Sequence, residues 1–168
     1  MKGLITYSSL TGNTKRYAEK LYEAFKESGE WTLLPMKEVG DGNDYDVVLA
    51  GGWIDRSTLN AEAKKWVEHC TAKRLGIFAT LGAMPNSPHG QNVYENLQAF
   101  LIHHEDMGIK LLPGKVDSVV IERVRAMPEG ILPEHIRKQM IETGEVSRYA
   151  TEEEYKEAIA YFQKRLHP

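Results

Sequence analysis

The run Ser8-Ser9-Leu10-Thr11-Gly12-Asn13-Thr14 brings four hydroxyls, one amide and a glycine together in consecutive positions. It follows the aliphatic segment Leu4 to Tyr7, which reads as a strand, and precedes a stretch with helical spacing. At such a junction successive backbone N–H groups point at an anion, and the helix dipole favours negative charge. Ser8, Ser9, Thr11, Thr14 and Asn13 add side-chain donors without any Lys or Arg. Gly12 permits close approach and unusual backbone angles. Lys15 follows Thr14, yet the order is not the Gly-x-x-x-x-Gly-Lys-Ser/Thr of a Walker loop. No Gly-x-Gly-x-x-Gly follows this strand either, so a terminal monophosphate suits the cradle better than a pyrophosphate.

The elements that must position this loop are legible in the hydrophobic pattern. Tyr17, Ala18, Leu21, Tyr22 and Phe25 fall at helical spacing, and Gly29 ends that helix. Trp31 to Leu34 predicts a second strand, Tyr45 to Ala50 a third and Gly76 to Thr80 a fourth. Between the last two, Leu59, Ala63, Trp66, Val67 and Cys70 mark a helix. Val93, Leu97, Phe100 and Leu101 mark another, before a fifth strand at Ile109 to Leu112. Strands alternating with helices predict a parallel sheet covered on both faces, with right-handed crossovers. After about Asp117 the pattern turns to helices and turns. The last helix starts at a capping box, Thr151 to Glu154, and carries Tyr155, Ala158, Ile159, Phe162 and Leu166 on one stripe. The chain reads as one domain over residues 1–168, with 117–168 as a helical C-terminal extension.

The strand followed by Tyr7-x-Ser9-x-Thr11-Gly12-Asn13-Thr14 resembles the signature of the flavodoxin family. That resemblance implies an α/β three-layer sandwich, a five-stranded parallel sheet of order 2-1-3-4-5, and FMN at the point where the strand order reverses. Flavodoxin is itself the general example of that rule. It also implies two further loops that hold the isoalloxazine ring. The first is Gly51-Gly52-Trp53-Ile54-Asp55-Arg56, where Trp53 would stack on the ring and Gly51 and Gly52 would let the backbone pass close. The second runs from Thr80, Leu81 and Gly82 to His89 and Gly90, with backbone N–H groups toward the ring. This loop lacks the acidic residue and the stacking tyrosine of the long-studied flavodoxins, offering no tyrosine before Tyr94. An acidic surround disfavours the anionic reduced flavin, so a low potential does not follow here. The wording of both loops is similar to a shorter-looped flavodoxin subgroup of anaerobic bacteria. Some of its members accompany bilirubin reductases and others haem-handling genes.

Other constellations carry less. His103 and His104 are adjacent and point apart on a helix. His69, His135 and His167 have no metal-cluster spacing, which leaves His89, in a ligand loop, as the histidine of interest. Ser8 and Ser9 are not in a Gly-x-Ser-x-Gly elbow, and Cys70 lies on an apolar helical stripe. A single cysteine excludes an intramolecular disulfide and a thiolate metal cluster within one chain. The net charge of -3 argues against a general nucleic-acid binder. No apolar run is long enough for a membrane span, so a cytoplasmic protein is expected.

Three functions follow as alternatives. One is an FMN-binding electron-transfer protein serving a partner reductase. Another is an FMN-dependent reductase of a small acceptor, a quinone or tetrapyrrole. The third is a haem- or tetrapyrrole-binding protein on a flavodoxin scaffold.

Overall fold

The aliphatic runs become one parallel sheet in the computed structural model, which describes residues 1–167. In chain order the elements are β1 Lys2–Tyr7, α1 Asn13–Phe25, β2 Glu30–Pro35, β3 Val47–Asp55, β4 Thr58–Leu59 and α2 Ala61–His69. There follow β5 Arg74–Leu81, α3 Pro88–Gln98, β6 Glu105–Pro113, α4 Ser118–Arg125, α5 Glu134–Val146 and α6 Glu152–Leu166. The main strands lie in the order β2-β1-β3-β5-β6, all parallel. This is the expected 2-1-3-4-5 order once β4, a short antiparallel partner to the end of β3, is set aside.

Alternation along each strand sends side chains to two layers. Leu4, Val48, Ala50, Leu75 and Ile77 join Ala63 and Val67 of α2 and Val93 and Leu97 of α3. Ile5, Val47, Leu49 and Phe78 join Tyr17 and Leu21 of α1 and Ala158 and Phe162 of α6. Both faces are covered, which is why the strands read as continuous apolar runs. Each fully buried Leu, Ile or Phe contributes about 1.5–3 kcal/mol relative to exposure. Tyr17 and Phe78 pack with ring centroids 4.9 Å apart. The Tyr17 hydroxyl donates to the Lys110 carbonyl at 3.0 Å.

The helix expected over Leu59 to Cys70 is shorter, with Leu59 in β4 and Cys70 capping α2, and two strands are longer than the sequence suggests. β6 begins at Glu105, four positions before Ile109. Its first residues are polar, and an irregularity at Gly108, where φ is 97° and Asp106 accepts the glycine N–H, breaks the alternation. β3 runs on through Gly51, Gly52 and Trp53 to Asp55, so the segment expected as a loop is strand. The pairing of Gly51, Gly52 and Trp53 with Phe78, Ala79 and Thr80 explains this.

The glycines there serve packing. A Cβ on Gly51 would stand 2.0 Å from Phe78, and one on Gly52 would stand 2.5 Å from Asn60 Oδ1. The space a Cβ would take at each glycine is filled by the protein's own side chains.

The C-terminal helices divide. α6 packs on α1 and β6, completing the sheet's second layer, whereas α4 and α5 pack chiefly on each other. The capping box of α6 is formed, with Thr151 Oγ1 accepting from Glu154 N at 3.2 Å and Glu154 Oε1 accepting from Thr151 N at 2.9 Å. Among the described residues, no helix is long and apolar enough to cross a membrane.

Candidate functional site

The turn between β1 and α1 is built around Gly12, the N-cap of α1, at φ 98°. Among the described residues, the N–H groups from Leu10 to Thr14 donate to no backbone acceptor. The first turn of α1 contains no acidic residue, so its positive dipole end is uncompensated. A strand-end turn with orphaned N–H groups is a fitting receptacle for a phosphate.

The side chains of this turn have divided duties. Ser9 and Thr11 line the adjoining cavity. Ser8 is buried, and its Oγ accepts from Asn60 Nδ2 at 3.0 Å. Thr14 reaches the cavity wall, but its hydroxyl is 3.0 Å from that of Thr80. Asn13 Nδ2 donates to the Lys115 carbonyl at 2.9 Å. The sequence suggested that all these groups surround an anion. In this structure Ser8 ties the turn to Asn60 ahead of α2, Thr14 ties it to β5, and Asn13 ties it to the segment after β6. Ser9 and Thr11 line the cavity, and Ser9 Oγ also accepts from Lys15 N at 3.3 Å in the first turn of α1.

A cavity of about 470 Å³ opens beside the turn. Of the loop residues singled out from the sequence, Ser9, Leu10, Thr11, Asn13 and Thr14 line it, whereas Ser8, Gly12, Gly51, Gly52 and Gly90 do not. Trp53, Ile54, Thr80, Leu81, Gly82 and His89 therefore share one space with the cradle. Trp53 is half-buried at the end of β3, its N–H donating to Asn60 Oδ1 at 3.1 Å while its carbonyl accepts from Asn60 N at 2.8 Å. Beyond it the chain reverses through Arg56 and Ser57, both with positive φ, at 51° and 66°. His89 lies in the first turn of α3, whose N-cap Ser87 accepts from Gly90 N.

Several residues of the site left little trace in the sequence. Asn60 ties the end of β1 to the end of β3. Lys115 and Val116 cross the top of the sheet beside Asn13 and Gly82. α4 and α5 form the cavity's far wall. Only Asn60 had a local signal, an Asn directly before a helix. The chain's net charge also hid a cationic corner: Arg16 stands 4.9 Å and Lys115 5.6 Å from the ring centre of Tyr149, next to the cradle. Cys70, by contrast, belongs to the core, where burial pushes its thiol up and away from reactivity.

A family model described as a flavodoxin domain matches residues 4–163. The chain belongs to the flavodoxin family. FMN, expected from the first loop, is the family's cofactor, and the cradle's free N–H groups fit its phosphate. The flavodoxin-like domain-containing protein BilS of Clostridioides difficile is 29% identical, the match covering 99% of this chain and 97% of that protein. Among solved structures, the flavodoxin of Streptococcus pneumoniae TIGR4 superposes with a TM-score of 0.62 at 12% identity, covering 99% of this chain and 98% of that one. A flavoprotein of Lactobacillus acidophilus in complex with FMN matches at a TM-score of 0.50 and 16% identity, covering 66% and 92%. At these identities the two structures speak to the fold alone.

Proposed function

We propose that this chain is an FMN-binding electron-transfer protein that serves a partner reductase. The observation that carries the proposal is the β1–α1 turn, where free N–H groups and a bare helix N-terminus meet Ser9 and Thr11. In this assignment the turn holds the monophosphate, Trp53 packs on the isoalloxazine ring, and the Thr80–Gly82 backbone faces the ring's polar edge. Ser8, Asn13 and Thr14 hold the turn in shape, and His89 stands at the cavity's rim. FMN supplies reversible electron uptake; the protein supplies placement and environment. The resemblance to a subgroup whose members accompany bilirubin reductases supports a reductase as the partner.

The test begins with FMN titration of the purified apoprotein. Replacing Thr11 with alanine is expected to weaken binding by removing a hydroxyl at the phosphate. Replacing Asn13 acts through the Lys115 carbonyl and is expected to weaken it as well. Unchanged affinity in both variants would defeat the cradle assignment. Turnover of NAD(P)H with a small acceptor and no partner protein would replace the carrier role with that of a reductase. A colourless protein that binds haem in place of FMN would favour the tetrapyrrole-binding alternative.

A further inference from the structure

α4 and α5 contribute an apolar surface to the cradle's cavity that the flavin assignment above leaves unused. Val120, Ile121, Val124, Ile136 and Met140 line it. Val120 and Met140 are 38% and 45% exposed, so they are apolar groups without a full set of partners inside their own fold. Ligand pockets are lined predominantly by apolar side chains with a few polar groups among them.

The helix pair is anchored at the ring end of the site. Val116, just before α4, lies against Gly82 so closely that a Cβ there would stand 2.6 Å from Val116 Cγ2. Gly144 of α5 leaves room for Ile121 of α4, where a Cβ would be 2.8 Å from Ile121 Cγ1. The two ends of the pair are tied where Val116 N donates to Ser147 Oγ at 2.9 Å. Lys115 meanwhile holds Asn13 in the cradle. Placement of the helix pair is thus coupled to both the phosphate turn and the Gly82 loop.

We infer that the inner face of α4 and α5 is the second wall of the flavin pocket, packing on the ring face that Trp53 leaves open. This rests on the FMN assignment. A flat ring has two faces, and residues 82–90 contain no Phe, Tyr or Trp to cover the second. The aliphatic wall lies in the same cavity as Trp53 and supplies a surface of matching polarity for the ring's hydrocarbon end. Gln139 and Thr143, on the same wall, offer polar groups to the ring's heteroatoms.

The experiment uses the full chain with FMN and, separately, riboflavin, which has the ring without the phosphate. Val120→Glu and Met140→Glu are combined, both positions being exposed enough to tolerate the change. The expected result is an FMN Kd raised by about tenfold or more. Riboflavin binding should be weakened by this pair and left nearly unchanged by Thr11→Ala. Hydrogen exchange should slow over residues 118–146 when FMN binds, together with residues 10–14. If FMN protects residues 10–14 while residues 118–146 and the variant's Kd stay unchanged, the wall does not touch the flavin. The cradle assignment then survives and this inference falls. Failure of the wild-type chain to bind FMN would overturn both.

Discussion

Asn60 and Ser8 are 52 positions apart in the chain, yet Asn60 Nδ2 donates to Ser8 Oγ at 3.0 Å in a buried contact. The same amide accepts from Trp53 N through Oδ1. One side chain therefore sets the spacing between β1, which leads into the β1–α1 turn, and Trp53 near the end of β3. Asn60→Ala leaves the Trp53 N–H and the Ser8 hydroxyl without these partners in a buried setting. The expected cost is about 1–3 kcal/mol in urea unfolding. FMN affinity should fall in the same variant although Asn60 does not line the cavity. Equal affinity with lowered stability would show that the two loops hold their spacing without it.

Gly12 gives a cleaner test of backbone strain. Nothing lies within 4 Å of a Cβ built there, so steric exclusion by neighbours is absent, while φ is 98°. Gly12→Ala is therefore expected to lose about 1–2 kcal/mol from conformation alone. Gly12→Asn should lose less, since asparagine tolerates this region better. Chemical denaturation of the variants checks the order, and a loss in Gly12→Ala no greater than in Gly12→Asn would contradict it.

The contrast between Gly12 and Gly51 shows what the sequence carried and what it hid. Gly12 was legible because its neighbours form a contiguous motif between a strand and a helix, a local arrangement. Gly51 and Gly52 stood beside Trp53 and suggested flavin contact, yet their missing Cβ atoms are occupied by Phe78, Asn60 and Ala63. That relation is long-range and leaves no local pattern. The sheet order was legible from the alternation and the family resemblance, because buried parallel strands read as apolar runs. The start of β6 was not, since Asp106 and Gly108 interrupt its period. Nor could periodicity show that α4 and α5 wall the site while α6 returns to the sheet, because all three are amphipathic helices following one another.

The start of α6 gives the fold a dependence on acid. Arg148 donates to Glu154 in a two-pronged contact, at 2.6 and 3.2 Å. That hydrogen bond, opposed by partial burial and reinforced by the Thr151 backbone and hydroxyl, holds the Glu154 carboxyl below its ordinary value of 4.5. A carboxyl whose folded value is depressed adds stability above its unfolded value, and that stability is lost as pH falls through the folded one. The α6 cap should therefore weaken below about pH 4.5 and not near neutrality. Much of the pair is open to solvent, so the effect is small. Glu154→Gln should lower stability at neutral pH and flatten the acid limb of the pH–stability curve. An unchanged acid limb would remove Glu154 from the account.

Thr14 and Thr80 offer the sharpest separation between holding a site together and contacting a ligand. Their hydroxyls lie 3.0 Å apart and are buried, joining the second residue of α1 to the end of β5. Removing one hydroxyl leaves the other without its partner, while removing both leaves two apolar groups of similar shape in contact. Thr14→Val and Thr80→Val should each cost about 1–3 kcal/mol, and the double variant should cost clearly less than their sum. A double-variant cycle in urea measures this coupling. Strict additivity would mean that the two hydroxyls do not depend on each other, and that water or a ligand satisfies each. The same cycle repeated with saturating FMN then reads out whether the pair also serves the cofactor, because a ligand that shares these hydroxyls changes the coupling and one that does not leaves it intact.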